Sequence, residues 1–297
     1  MFSGQGAQYS GMGRDLYENS PAARAIFDLA EAIRPGTLKQ CFSGSEEELE
    51  RTENTQPCVY CVDLAAAAAL KEAGVKADIL AGFSLGELAA LTFSGAISYE
   101  DGFKLVCKRA EIMQKAADSA DAGMTAVLKL SDEEVAALCN EFTAVYPVNY
   151  NCPGQVVAAG IKEELLLFGQ RVKEAGGRAM PLKTGGAFHS PFMKEASLEF
   201  FEVLKAYEIK NPLIPIYSNM TGRPYEGDYR ELLANQICNP VLWSLCVTHM
   251  ISAGADTFIE LGPGKTLSGL IKRIDENVRV FNVEDPISLQ DTLSALR

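Results

Sequence analysis

A chain of 297 residues, 47% hydrophobic and 22% charged, is long and apolar enough to bury a core, which excludes a disordered protein. The formal net charge of -12 argues against nucleic acid as a main partner, because phosphates would be repelled. No apolar stretch could span a bilayer and no secretion signal opens the chain, so we expect a cytoplasmic protein without a membrane partner.

Helical and strand-like patterns alternate along the chain. Helices are predicted at 21–33, 57–73, 86–94, 99–118, 131–141, 162–175, 191–206, 228–237, 240–253, 265–274 and 287–296. Strands are predicted at 77–80, 124–130, 142–150, 155–161, 178–183, 215–220, 257–261 and 279–283. Strands that alternate with helices of this length predict an α/β fold, with a parallel sheet covered by helices on both faces.

Residues 123–186 have a different order of elements: strand, helix, strand, strand, helix, strand. The turn Asn151-Cys152-Pro153-Gly154 joins the middle two strands. This is the order of a ferredoxin-like unit. We therefore predict a ferredoxin-like subdomain at 123–186, inserted into a core formed by 1–122 and 187–297, with the binding site in the cleft between them.

The stretch Gly82-Phe83-Ser84-Leu85-Gly86 follows a short apolar run and precedes a helix, which fits a nucleophile elbow. Glycines two residues on either side of the serine let strand and helix approach closely. The hydroxyl would then lie above the helix N-terminus, where free N–H groups favour negative charge. An ordinary turn with a solvated serine is an equally good interpretation of the pentapeptide alone.

A serine nucleophile needs a base, and the chain has only two histidines. His249 lies in the predicted helix 240–253, where a packing or surface role is favoured. His189 lies in GGAFHSPFM, a loop after a predicted strand, where α/β enzymes place catalytic groups. The pair Ser84–His189 is therefore the leading hypothesis. No clear acid outside the proposed insertion completes a triad, so a backbone carbonyl could orient the imidazole instead.

Three other patterns do not predict a cofactor. Cys58 and Cys61 form a CxxC pair without a second ligand pair, so we predict buried thiols in a reducing cytoplasm. GQGAQYSG (4–11) has Tyr9 where a dinucleotide-binding loop needs its third glycine, and GPGKT (262–266) lacks the first glycine of a P-loop. The first loop could instead offer backbone N–H groups to a reacting centre.

Seven motifs follow one another along the chain: GQGAQ, GFSLGE, an Arg–Met helix, VNYNCPGQVVAAG, GAFHSPFM, NPVLW and ELGPGKTL. In this order the whole chain resembles malonyl-CoA:acyl carrier protein transacylases and the acyltransferase domains of fatty acid and polyketide synthases. The resemblance implies an α/β-hydrolase-like core with a ferredoxin-like insertion. It also implies a monomer that transfers malonyl from malonyl-CoA to the phosphopantetheine thiol of acyl carrier protein, by a ping-pong mechanism, for fatty acid synthesis. No bound cofactor and no metal are implied.

The resemblance assigns catalytic roles to matching residues. Ser84 matches the nucleophile and His189 the general base. Gln236 matches the residue whose backbone carbonyl orients the histidine. Gln5 and Leu85 match the two residues whose backbone N–H groups form the oxyanion hole.

It also assigns substrate-binding roles. An arginine in a helix such as 99–118 is usually solvated, and spacing alone does not decide otherwise for Arg109. By resemblance, however, Arg109 matches the arginine that pairs with the malonyl carboxylate. Met113 and Asn151 match residues that line the pocket. Phe188 gives the triplet AFH, which is similar to malonyl-selective domains.

Two departures from the family stand out. Phe83 replaces the usual histidine before the nucleophile, which removes a polar neighbour of Ser84. The strand before the GQG loop is nearly absent, so the loop with Gln5 is expected to be poorly anchored unless the chain starts further upstream. A serine hydrolase, a polyketide acyltransferase and a non-catalytic carrier-binding module stay open as alternatives. For carrier docking we predict a basic patch from Lys183, Lys194, Lys265, Lys272 and Arg273.

Overall fold

The structure, a computed structural model, describes residues 1–296 and confirms the predicted α/β class. Its helices are α1 (Arg14–Asn19), α2 (Pro21–Ile33), α3 (Thr37–Ser43), α4 (Glu46–Glu50), α5 (Thr52–Glu72), α6 (Gly86–Phe93), α7 (Tyr99–Asp118), α8 (Asp132–Cys139), α9 (Lys162–Glu174), α10 (Lys194–Leu204), α11 (Tyr229–Gln236), α12 (Trp243–Ser252), α13 (Thr266–Ile274) and α14 (Pro286–Leu296). Its strands are β1 (Leu80–Ala81), β2 (Ala122–Leu128), β3 (Val145–Cys152), β4 (Gln155–Ile161), β5 (Arg178–Pro181), β6 (Ile216–Tyr217), β7 (Thr257–Leu261) and β8 (Arg279–Val283).

The largest differences from the predicted elements lie in the first half of the chain. The short helices α1, α3 and α4 were not predicted. The predicted helix at 57–73 begins five residues earlier, at Thr52, and contains Pro57 in its interior. Proline is favoured in the first turn of a helix. Inside a helix it removes one backbone hydrogen bond, and the surrounding packing can hold the helix in place despite that loss. Helix α5 is buried along most of its length, so packing decides its start.

The core contains a small parallel sheet built from two strand pairs. Strand β1 pairs with β6, and β7 pairs with β8. Phe2 bridges both pairs in parallel, through Gly82 and Leu261. The Phe2 N–H donates to the Ala81 carbonyl at 2.9 Å, and the Ser3 N–H donates to the Leu261 carbonyl at 3.1 Å. The loop that carries Gln5 therefore leaves directly from the sheet, and the expectation that it is poorly anchored is wrong.

Residues 122–181 form an antiparallel sheet of four strands in the order β3-β4-β2-β5, with α8 and α9 in the connections. A capping box of Ser131 and Glu134 starts α8. Gly154, with a φ of 72°, makes the tight turn between β3 and β4. Phe168 and Val172 of α9 pack with Val127 of β2 in a hydrophobic cluster of their own. This sheet forms one wall of the cleft described below.

Helices α5 and α7 lie against each other in the core. The buried face of α7 repeats at helical spacing and includes Phe103, Val106, Arg109 and Met113. An arginine therefore lies on a buried stripe. Cys58 and Cys61 are buried in α5, and all eight cysteines are free thiols, which confirms the prediction for the CxxC pair. Within residues 1–296, no helix combines the length and apolar character needed to cross a membrane.

Candidate active site

Ser84 lies on a strained turn between β1 and α6. Its φ of 53° is in the left-handed region, which serine rarely adopts. A Cβ on Gly82 would lie 1.9 Å from the Gly86 carbonyl carbon, and one on Gly86 would lie 2.5 Å from the Phe2 carbonyl oxygen. Both flanking positions therefore need glycine. This is the geometry that the pentapeptide predicts for a nucleophile elbow.

Asn219 holds the elbow from the neighbouring strand. It follows β6, and its Oδ1 accepts a hydrogen bond from the Ser84 backbone N–H at 2.7 Å. Its Nδ2 donates to the Gly82 carbonyl at 2.7 Å. The amide thereby stabilises the strained backbone on both sides of the turn. Sequence reasoning missed Asn219, because an asparagine after a short strand carries no specific signal.

His189 contacts Ser84 as predicted from the two histidines. Its Nε2 lies 2.8 Å from Ser84 Oγ, and its Nδ1 lies 2.9 Å from the Gln236 carbonyl oxygen. A carbonyl can only accept, so Nδ1 carries the proton and Nε2 is free to accept one from the serine. The His189 backbone N–H donates to the Ile237 carbonyl at 3.1 Å, which fixes the loop against the end of α11.

Burial sets the protonation state of His189. Burial first, and then the charge of Arg109, lower the pKa of His189 to about 4, so the imidazole is neutral at pH 7. A neutral imidazole can act as a base without first losing a proton. His249 lies outside the site in α12, where its Nδ1 lies 2.7 Å from the Gly222 carbonyl. The predicted packing role of His249 is confirmed.

Arg109 turns inward and contacts the nucleophile. Its side chain is 1% exposed, so the solvated position that is usual for an arginine in a helix does not apply here. One terminal nitrogen lies 3.1 Å from Ser84 Oγ and 2.8 Å from Gln236 Oε1, and the other lies 2.7 Å from Gln56 Oε1. Burial lowers the pKa of Arg109 to about 10, so it stays charged at pH 7. A buried cation therefore lies beside the serine hydroxyl.

The backbone N–H groups of Gln5 and Leu85 border the elbow. Neither donates to an acceptor among residues 1–296. A Cβ on Gly4 would lie 2.6 Å from the Phe83 carbonyl, so the glycine loop packs directly on the elbow. The Gln5 side chain donates to Thr52 Oγ1 at 3.0 Å and ties this loop to α5. One donor without an acceptor therefore lies in the loop that packs on the elbow, and the other follows Ser84 directly in the chain.

A cavity of about 190 Å³ lies between the core and the antiparallel sheet. Gln5 and Phe83 line it from the core and Asn151 lines it from β3. The Asn151 side chain is 7% exposed, and its Oδ1 has no partner among the described residues. Met113 and Phe188 are buried in the core and do not line this cavity. Ser84, His189 and Arg109 line neither this cavity nor a larger cleft of about 910 Å³ next to α4.

Phe83, which stands where the family usually has a histidine, packs against apolar side chains. Its ring lies edge-on to Trp243, with 5.6 Å between the ring centroids. It is half-buried and forms part of the cavity wall. Its side chain therefore leaves the contacts of Ser84 with His189 and Arg109 intact.

The predicted basic patch is only partly available. Three members already have protein acceptors: Lys183 on Glu46 at 2.7 Å, Lys272 on the Val278 carbonyl at 2.5 Å, and Arg273 on Gln155 at 2.5 Å. Lys194 and Lys265 are exposed and form no ion pair with the described residues. These two lysines are the members of the predicted patch that have no protein acceptor among the described residues, so they can dock an acidic partner.

A serine bound to a neutral histidine beside a buried arginine is compatible with an enzyme that transfers or hydrolyses acyl groups. Residues 1–284 match the family model of the acyl transferase domain. The chain therefore belongs to the acyl transferase domain family, and it is an acyltransferase.

Relatives match over nearly the whole chain. The malonyl CoA-acyl carrier protein transacylase of Bacillus subtilis (strain 168) is 37% identical, covering 100% of this chain and 96% of the relative. The crystal structure of malonyl CoA-acyl carrier protein transacylase from Clostridium perfringens is 40% identical, with a TM-score of 0.96, covering 100% of this chain and 96% of that one. A malonyl-transacylase in complex with its type II PKS acyl-carrier protein is 34% identical, with a TM-score of 0.95, covering 99% and 98%.

Proposed function

We propose that the chain transfers a malonyl group from malonyl-CoA to the phosphopantetheine thiol of acyl carrier protein, through a malonyl-Ser84 intermediate, for fatty acid synthesis. The observation that carries the proposal is the contact of one hydroxyl with two groups. Ser84 Oγ lies 2.8 Å from His189 Nε2 and 3.1 Å from the Arg109 guanidinium. The proposed base and the proposed carboxylate-binding cation therefore both contact the same nucleophile. The names of the relatives agree with this donor and this acceptor.

In the first half-reaction, Ser84 Oγ attacks the thioester carbonyl and His189 Nε2 takes its proton. The resulting oxyanion accepts hydrogen bonds from the N–H groups of Gln5 and Leu85. When the C–S bond breaks, His189 returns the proton to the CoA thiolate. The Gln236 carbonyl stabilises the imidazolium that exists between these two steps.

The second half-reaction repeats these steps with the carrier thiol. His189 takes the thiol proton, and sulfur attacks the ester of malonyl-Ser84. The C–O bond breaks, and the proton passes to Ser84 Oγ. Because CoA leaves before the carrier reacts, the kinetics are ping-pong. We propose that both half-reactions proceed without a bound cofactor or metal, as the family resemblance implies.

Arg109 supplies the preference for malonyl. In the unliganded protein it contacts the neutral oxygen of Ser84. A malonyl carboxylate offers it a charged acceptor instead, and charge-assisted hydrogen bonds are about twice as strong as neutral ones. An acetyl group offers no such acceptor. Met113, Asn151 and Phe188 are proposed to shape the space around the acyl group.

We also propose the finer domain assignment, with a ferredoxin-like subdomain at 123–186 and an α/β-hydrolase-like core formed by 1–122 and 187–297. The strand order β3-β4-β2-β5 and the elbow after a parallel strand support it. We propose a monomer as the active form, as the family resemblance implies. The eight free thiols fit a reducing cytoplasm.

Intact-protein mass spectrometry after brief mixing with malonyl-CoA tests the proposal. We expect a malonyl adduct on the wild type, a weak adduct with acetyl-CoA and none on Ser84→Ala. An adduct that persists on Ser84→Ala would overturn the assignment of the nucleophile. Free malonate released without carrier protein would favour a hydrolase.

A second candidate is an acyltransferase of polyketide synthesis. The likeness to a malonyl-transacylase in complex with a type II PKS acyl-carrier protein is the observation that favours it. The chemistry at Ser84 is the same in both cases. Rates of transfer to a fatty acid carrier and to a polyketide carrier, measured side by side, would separate the two.

A further inference from the structure

Glu87 is a buried carboxyl group that the proposed reaction does not use. It lies in the first turn of α6 and is 1% exposed. One oxygen accepts a hydrogen bond from the Asn219 backbone N–H, and the other accepts one from Gln236 Nε2 at 2.5 Å. Both partners are N–H donors, so both oxygens must accept. Neither of these two contacts offers an acceptor for the O–H of a protonated carboxyl group, so they favour the ionised carboxylate.

The Gln236 side chain links Glu87 to the arginine. Its Nε2 donates to Glu87 and to the Ser84 carbonyl oxygen, which lies 2.8 Å away. Its Oε1 accepts from Arg109 at 2.8 Å. A carboxylate and a carbonyl only accept, and a guanidinium only donates. The amide therefore has one orientation that satisfies all of its neighbours.

Glu87 and Arg109 are thus opposite buried charges at the two ends of one amide. Burial lowers the pKa of Arg109 to about 10, and the charge of Glu87 opposes this shift. The guanidinium is held by the amide oxygens of Gln56 and Gln236 and by Ser84 Oγ. Of these, the Gln236 amide is the one whose direction Glu87 controls.

We propose that Glu87 is a positioning residue for acyl selectivity: its carboxylate orients the Gln236 amide, which aligns Arg109 so that the site prefers an acyl group bearing a carboxylate. The inference rests on the proposed function, since it concerns which acyl donor the serine accepts. Glu87 touches no reacting atom. It acts on Arg109 through Gln236 and through its charge, while its other oxygen holds the Asn219 backbone.

The isosteric variant Glu87→Gln tests this directly. An amide has one acceptor and one donor, so one of the two N–H partners must then face another N–H group. We expect kcat/KM for malonyl-CoA to fall by about tenfold or more. Acylation by acetyl-CoA should change much less, because it does not use Arg109. Glu31→Gln is the matched control: Glu31 also accepts backbone N–H groups on both oxygens, from Gly36 at 2.8 Å and Leu38 at 2.9 Å, outside the site.

A second variant, Gln236→Met, removes the amide and keeps the backbone carbonyl that holds His189. It should cause the same loss of malonyl preference. If both variants lower the rates with malonyl-CoA and acetyl-CoA by equal factors, or change neither, Glu87 has no role in selectivity and the proposal is overturned.

The pH profile is a readout that a purely structural role would not change. Burial raises the pKa of Glu87 to about 7. The titratable groups that face it are Arg109, Tyr225 and Cys246, and burial raises the pKa of the last two well above neutral. As pH falls through about 7, Glu87 gains a proton and loses an acceptor, so malonyl preference should fall. Glu87→Gln should lack this step, and a wild-type step that persists in the variant would assign it to another group.

Urea unfolding provides a test that needs no substrate. In a double-mutant cycle, Glu87→Gln should shift the midpoint less in an Arg109→Met background than in the wild type, because its charge partner is already gone. Equal shifts would show that the two charges are uncoupled and would overturn the proposal. If the wild type forms no malonyl adduct, the proposed function fails, yet this cycle still reports on the Glu87–Arg109 coupling.

Discussion

The two walls of the cleft differ in how their polar groups are satisfied. On the core side, beside Gln5 and Phe83 of the cavity lining, Ser84, His189 and Arg109 are all bound to one another or to neighbouring amides. On the wall formed by the antiparallel sheet, Asn149 and Asn151 are buried, and the Oδ1 of each has no partner among residues 1–296. Both asparagines line the cavity.

This difference separates two tasks of the site. The core wall keeps its reacting groups aligned before substrate arrives, so no reorganisation is needed in the transition state. A buried acceptor without a protein partner lowers the free energy of unfolding unless water or a ligand satisfies it. A ligand with N–H groups would satisfy Asn149 and Asn151 on binding. We infer that the core wall performs the chemistry and that the second wall trades stability for binding.

The largest expected effect comes from the core wall. Arg109→Ala removes the buried cation, and we expect kcat/KM for malonyl-CoA to fall by about 100-fold while acylation by acetyl-CoA rises. Steady-state rates with the two donors measure this. Arg109→Lys keeps the charge but not the planar fork, so it should recover only part of the loss. An unchanged donor preference in Arg109→Ala would remove this residue from substrate binding.

A smaller effect is expected on the other wall. Asn151→Leu removes an unpartnered acceptor, so we expect KM for malonyl-CoA to rise about tenfold while the free energy of unfolding stays equal or increases. Substrate kinetics and urea unfolding on one preparation check both parts. Lower stability with unchanged KM would show that Asn151 is an ordinary packing residue, and the contrast between the walls would fail.

The expected effect on carrier docking is smaller than either of these. With Lys194 and Lys265 as the exposed cations left in the predicted patch, reversing either charge should weaken carrier binding by only a few-fold, roughly the contribution of a rim charge. Titration of carrier protein at two salt concentrations tests this. An affinity that does not fall as salt rises would count against an electrostatic dock.

The smallest effect concerns pH and the base. The pKa of His189 is lowered to about 4, so the imidazole stays neutral as pH falls from 8 to about 5 and is protonated only below that range. Acylation of Ser84 by acetyl-CoA should therefore change little between pH 8 and 5. Stopped-flow release of CoA measures it. A loss of rate near pH 6.5, the ordinary pKa of histidine, would mean that the site is far more hydrated than the buried His189 indicates.

The residues differ in how well sequence alone predicts them. The elbow at Ser84 follows from local sterics, because Gly82 and Gly86 leave no space for a side chain. The pairing with His189 followed by elimination, since only two histidines exist. For Arg109, a solvent-exposed side chain is the usual expectation for an arginine in a helix, and burial was expected only from the family resemblance.

Two further residues had almost no sequence signal. Glu87 is a lone acid in an apolar helix start, and Asn219 follows a strand of two residues. Their importance depends on hydrogen bonds to residues more than a hundred positions away, Gln236 for Glu87 and Ser84 for Asn219. Periodicity and turn chemistry describe only neighbours in the chain, so they cannot detect such partners.

By itself, the sequence determined the α/β class, most element positions and the tight turn at Ser84, because these depend on hydrophobic periodicity and local backbone sterics. Only the tertiary structure decided which polar side chains meet. The burial of Arg109, the tautomer of His189 and the amide direction of Gln236 all depend on donors and acceptors from separate elements. The chemistry of this site depends on those long-range contacts, and the low dielectric around them determines which groups carry charge.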